Sequence, residues 1–110
     1  MDYVPKRGDI LWIDFDPQRG REIRGTRPAL VLSASSYNHK TGLCVLCAIT
    51  TKSKGYPFEV RIPDSLEIGG VILSDQVRTM DWRERHIRYA TTVPETVLAE
   101  VLAKLTILLN

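Results

Sequence analysis

The chain predicts a mainly β, α+β domain, and three features carry the prediction. Short apolar runs rich in Val, Ile, Leu and aromatic residues alternate with clusters of Gly, Pro, Asp and Ser. One amphipathic helix pattern is confined to the carboxy-terminal end. The 110 residues leave room for a single core, and 44% apolar with 25% charged residues is a globular balance. No repeat, low-complexity tract or linker interrupts residues 1–110, which read as one domain.

The elements follow in order. A first strand over residues 10–15 starts after Gly8-Asp9 and stops at Asp16-Pro17. A polar, arginine-bearing stretch leads into a second strand over 29–35. Tyr37-Asn38-His39-Lys40-Thr41-Gly42 has the chemistry of a turn. Residues 43–51 form a third strand, apolar on both faces and so expected near the centre of the sheet. Lys52-Ser53-Lys54-Gly55-Tyr56-Pro57 breaks the pattern before a strand over 58–62. Gly69-Gly70 introduces another over 71–77, and 87–92 supplies the last. Pro94 sits where a helix begins, and Glu95 suits its first-turn dipole. Val97, Leu98, Val101, Leu102, Leu105, Leu108 and Leu109 then recur at helical spacing. That apolar face is broad for one small sheet. Complete burial within the chain and partial cover by a second copy account for it equally well.

The amino terminus lacks the apolar core of a secretory signal, and no apolar run is long enough to span a bilayer. The expected location is therefore the cytoplasm, without membrane association. Cys44 and Cys47 form a Cys-x-x-Cys, but on a strand positions three apart point to opposite faces. Buried, inert thiols are expected rather than a metal or redox site.

Charge distribution says more than the formal net charge of +2. Arg19, Arg21, Arg24 and Arg27 crowd one segment, and Arg78, Arg83, Arg85 and Arg88 crowd another. Brought together by the fold, they would make a basic groove for a polyanion. The alternative is a solvated arginine surface. Within the first segment, Pro28 fixes its own φ and biases Arg27 toward an extended backbone at a strand edge. Such restraint aims a planar guanidinium at a phosphate or carboxylate. An exposed loop arginine, or an Arg27–Glu22 ion pair, fits the segment equally well.

Ordered blocks give the chain a family resemblance. Arg7-Gly8-Asp9-Ile10-Leu11-Trp12, Phe15-Asp16-Pro17, Gly20-x-Glu22 and Gly25-x-Arg27-Pro28 resemble the opening of toxins of the MazF/PemK type. Ala48-Ile49-Thr50-Thr51, Lys54-Gly55-Tyr56-Pro57-Phe58, Ser74-Asp75-Gln76-Val77-Arg78 and the Val93-Pro94-Glu95 helix continue the match over essentially the whole chain. The resemblance implies a small SH3-like antiparallel β-barrel with a carboxy-terminal helix, working as a homodimer. It implies a sequence-specific endoribonuclease that cuts single-stranded RNA with neither metal nor cofactor. It implies an antitoxin partner whose flexible tail fills the RNA groove, and operator DNA bound only by the toxin–antitoxin complex.

Metal-free cleavage uses the neighbouring 2′-hydroxyl as nucleophile, leaving a 2′,3′-cyclic phosphate and a 5′-hydroxyl. It needs a proton acceptor, donors to the developing phosphorane and an acid for the leaving oxygen. By resemblance, Arg27 and Thr50 hold the phosphate, and Glu22 acts as base or as the orienter of Arg27. Lys54, Asp75, Gln76, Arg78, Arg83 and Arg85 fall on the implied RNA path. Tyr56, Phe58 and Trp82 are candidate stacking platforms, with core packing the stronger reading of Phe58, and Trp12 is expected in the core. In part of the family an arginine and a histidine accompany the aspartate matching Asp75. Here Leu73 takes the arginine's place, and Gln18 and Glu22 lie near the histidine's, so Asp75 is assigned to recognition. A His39–His86 acid–base pair has no motif behind it. Two other classes complete the field: a gyrase poison of the CcdB kind, which would act through a tryptophan near its carboxy terminus, and a non-catalytic SH3-like RNA-binding module.

Overall fold

Side-chain alternation sorts the apolar residues onto two faces of one curled antiparallel sheet. The computed structural model describes residues 2–15 and 25–110. Its strands are β1 (Asp9–Asp14), β2 (Thr26–Val31), β3 (Leu43–Thr50), β4 (Glu59–Arg61), β5 (Val71–Asp81) and β6 (Arg88–Thr92). They run side by side in the order β4-β5-β3-β2-β1-β6. Two helices complete the chain, α1 (Ser35–Thr41) and α2 (Glu95–Leu109). This is the expected α+β architecture, a half-barrel closed at one face by the carboxy-terminal helix.

β3 lies inside the sheet and is apolar on both sides, as its sequence predicts. Cys44, Leu46 and Ala48 join one core with Leu11, Ile13 and Phe15 of the first hairpin. Cys47 and Ile49 join the other, under Val97 and Val101 of α2. The two thiols thus sit in different cores, and burial pushes each up to about 12. Neither is a ready nucleophile or metal ligand at neutral pH. α2 buries Val97 and Val101, one helical turn apart, and leaves Ile107, Leu108 and Leu109 exposed. Among the described residues no helix is long and apolar enough to cross a membrane.

Three boundaries differ from the sequence expectation. β2 starts at Thr26 and ends at Val31, so Arg27 and Pro28 lie inside the strand rather than before it. β5 continues past Val77 to Asp81. The expected turn at residues 37–42 is the helix α1, held by tertiary hydrogen bonds that turn propensity does not reveal. Asn38 is fully buried, and its Nδ2 donates to the carbonyls of Pro5 (2.8 Å) and Ser33 (3.0 Å). The Ser33 hydroxyl donates to Asn38 Oδ1 (2.6 Å), and the Trp82 indole N–H donates to the Asn38 carbonyl (3.0 Å). Gly42, at φ 73°, then ends the helix in the left-handed conformation.

Candidate functional site

Arg27 and Thr50 come from the adjacent strands β2 and β3. In the β2–β3 ladder Ala29 faces Ala48, Leu30 faces Cys47 and Val31 faces Leu46. Continued by two residues, that register sets Arg27 across from Thr50. Pro28 has no N–H to donate, which fits the end of the ladder here. Alternation puts Arg27 on the face of Ala29 and Val31, and Thr50 on the face of Leu46 and Ala48. These are the same face. Arg27 is half-buried, faces Ile13 of β1, and borders a cleft of about 280 Å³ with Trp12 and Thr51.

Thr50 is 8% exposed, and its Oγ1 accepts a hydrogen bond from the Lys52 N–H at 3.2 Å. One lone pair being engaged, the hydroxyl proton is left to donate to an incoming oxygen. The backbone behind Thr50 is fixed by Gly70. That residue has φ +112°, and a Cβ there would lie 2.3 Å from the Thr50 carbonyl oxygen. Only glycine permits this approach. In the sequence Gly69-Gly70 read as strand punctuation alone.

β5 contributes through a bulge. Cys47 pairs with Val77, yet Ile49 pairs with Ile72, so two steps along β3 match five along β5. The surplus residues include Ser74, Asp75 and Gln76. A bulge re-aims side chains that a regular ladder would alternate across the sheet. Asp75 and Gln76 accordingly line a groove of about 250 Å³ with Thr50, Lys54 and Tyr56. Across the same face Arg78 stands opposite Leu46, its guanidinium 5.7 Å from the Phe15 ring centroid.

The loop before β4 forms one wall of that groove and is built around Glu59. The Glu59 Oε1 accepts from the Ser53 hydroxyl (2.7 Å) and the Gly55 N–H (3.1 Å), and Oε2 accepts from the Lys54 N–H (3.0 Å). The Lys54 N–H, followed by the Ser53 hydroxyl, holds this carboxyl below its ordinary value of 4.5. Nothing in the sequence pattern singled out Glu59.

The remaining arginines sit elsewhere in the chain. Arg83 donates to the His39 carbonyl and stacks over the Trp82 ring at 5.2 Å, and Arg85 donates to the Asp14 carbonyl. Together with Arg88, His39 and His86 they border a separate groove of about 1170 Å³. Among the described residues Arg27 lines a different cleft from Arg83, Arg85 and Arg88; the other three arginines of the first group lie outside them, and with them the expected single basic groove. The histidines share the groove of Arg83, Arg85 and Arg88, whose lining includes neither Arg27 nor Thr50. Trp82 is 8% exposed with its N–H bonded, which leaves it a core residue rather than a stacking platform. Tyr56 is 49% exposed and packs on half-buried Phe58 with centroids 5.3 Å apart. Trp12 is half-buried beneath Arg88, at 5.7 Å, instead of fully in the core. Glu22, Gln18, Arg19, Arg21 and Arg24 lie outside the described residues.

Comparison with known proteins agrees with this fold. Residues 6–109 match the family model of the PemK-like, MazF-like toxins of type II toxin–antitoxin systems. The chain is 48% identical over 108 residues to the endoribonuclease toxin MazF of Escherichia coli K12, covering 98% of this chain and 96% of that protein. It superposes on the crystal structure of MazF (Form-I) from Deinococcus radiodurans with TM-score 0.95 and 50% identity, covering 98% of each chain. The MazE–MazF structure (Form-II) from the same organism gives TM-score 0.88 and 46% identity, covering 99% of this chain and 98% of that one. By sequence over nearly its full length, and by fold, this chain belongs to the PemK-like, MazF-like toxin family of type II toxin–antitoxin systems.

Proposed function

We propose that this protein is a cytoplasmic toxin that cleaves single-stranded RNA at a short specific sequence without a metal. The observation that carries the reading is the β2–β3 register, which continued by two residues past Ala29 and Ala48 sets Arg27 across from Thr50, itself on a groove lined by Lys54, Asp75 and Gln76. A phosphodiester seated there meets a guanidinium fork and a hydroxyl whose proton is free to donate. Both contacts strengthen as charge grows on the phosphorane oxygens. The 2′-hydroxyl attacks the adjacent phosphorus, the P–O5′ bond breaks, and the products are a 2′,3′-cyclic phosphate and a 5′-hydroxyl. Glu22 takes the 2′-hydroxyl proton or orients Arg27. Lys54, Arg78, Arg83 and Arg85 hold the backbone, with Asp75 and Gln76 reading bases.

The protein works as a homodimer, in which one copy's groove continues on the other. The exposed apolar end of α2 supports the same reading. A cognate antitoxin binds the protein, as the MazE–MazF structure from Deinococcus radiodurans supports; its tail occupies the RNA groove, and operator DNA is bound by that complex alone. The test of the chemistry is a substrate with a 2′-deoxy nucleotide immediately 5′ to the cut. It is expected to bind as the all-RNA strand does and to stay intact. Cleavage of the deoxy-substituted strand would rule out attack by the 2′-hydroxyl.

A further inference from the structure

We infer that Glu59 is a positioning residue for RNA binding: its carboxylate clamps the turn at residues 53–55 and presents Lys54 to the groove beside Thr50. The inference rests on the nuclease reading above. Residues 51–57 are all exposed, and a loop with so little burial orders only if its backbone donors find partners. Glu59 supplies them: the Ser53 hydroxyl and the Gly55 N–H meet one carboxylate oxygen, and the Lys54 N–H meets the other. The Glu59 N–H donates to the Tyr56 carbonyl at 3.1 Å, closing the turn on its own strand. Gly55, at φ +74°, gives the turn its left-handed step. At the far end the Lys104 ammonium of α2 donates to the Pro57 carbonyl, so the loop is tied at both ends. Lys54 and Glu59 line the same groove as Thr50, Asp75 and Gln76.

A carboxylate on the bank of a polyanion's groove is unfavourable by charge alone. Here its oxygens are engaged by three donors of the loop, and the two lysines that the loop carries, Lys52 and Lys54, both line the groove, Lys54 being the one whose N–H the carboxylate holds. The sign of the Glu59→Gln effect separates the two roles. As a bystander acid, its loss removes repulsion and tightens RNA binding. As a clamp, its loss sets an amide N–H₂ against a loop donor, frees the turn and weakens binding.

The experiment measures anisotropy of a labelled, uncleavable 2′-deoxy-substituted RNA across a salt series. It compares the unchanged protein with Glu59→Gln, Lys54→Ala and the double variant, each checked for an unshifted Tm. The expected result is weaker binding by Glu59→Gln. The slope of log K against log salt should fall by about 0.7, the value for one lost phosphate contact on a single strand. Lys54→Ala should do the same, and the double variant should lose nothing more. Should Glu59→Gln fail to fold, Ser53→Ala removes one donor of the clamp and is expected to weaken binding in the same direction. Equal or tighter binding by Glu59→Gln, or additive losses in the double variant, would overturn the inference and leave the nuclease reading standing. An unchanged protein that binds no RNA would overturn both.

Discussion

In the proposed mechanism Arg27 concentrates the chemistry, and its backbone lies in a strand rather than on a loop. Replacement by alanine removes the main donor to the phosphorane, and the expected loss in cleavage rate is about 10²- to 10³-fold. RNA affinity should fall far less, since the other cations remain; parallel rate and binding measurements check this. Gly70 makes a sharper structural prediction. Alanine there places a methyl group 2.3 Å from the Thr50 carbonyl oxygen at φ +112°. The expected cost is about 2–4 kcal/mol in urea unfolding, with loss of cleavage as the Thr50 end of β3 shifts. The buried thiols predict the opposite behaviour. Cys44 and Cys47, both pushed up to about 12, should resist iodoacetamide in the folded protein and react once it is unfolded.

The loop at residues 52–58 carries a pH dependence whose sign follows from Glu59. Its carboxyl is held below the ordinary 4.5 by the Lys54 N–H and the Ser53 hydroxyl. The stabilisation of the loop is therefore complete above about 4.5 and is lost as pH falls through the lowered value in the folded protein. Amide exchange at Lys54 and Gly55, corrected for intrinsic rates, should show protection at neutral pH that disappears in acid. α2 offers a simpler test. Val101 is fully buried, and Val101→Ala should cost about 2 kcal/mol in unfolding free energy. How far these elements could be read from sequence depends on what holds each one. The strands and α2 were legible because periodic apolar residues report burial directly. α1 was not, since its stop signal at Gly42 resembles a turn and its support comes from Pro5, Ser33 and Trp82. The β5 bulge was hidden for a related reason. Nothing in Leu73-Ser74-Asp75-Gln76 announces extra residues; the mismatch exists only against β3. Arg27 and Thr50 stand in blocks that the sequence itself marks, whereas Glu59 and Gly70 act by contact with residues that the pattern does not connect to them.

Among the described residues Thr50 and Lys54 line one groove, Arg27 a second, and Arg83, Arg85 and Arg88 a third. A homodimer would join such surfaces into a path for single-stranded RNA, and the apolar end of α2 would be covered there. Ile107 is 72% exposed and Leu109 77%. Changing both to Asp is expected to shift the protein from dimer to monomer in sedimentation without loss of the fold by circular dichroism. The measurement that most directly tests the central claim is incubation with a long single-stranded RNA in EDTA, beside Arg27→Ala, with every new end mapped. The account predicts cuts at one short recurring sequence, bearing 2′,3′-cyclic phosphate and 5′-hydroxyl termini, and absent in the variant. Intact RNA from a folded, antitoxin-free sample, or cleavage that survives Arg27→Ala, would contradict it.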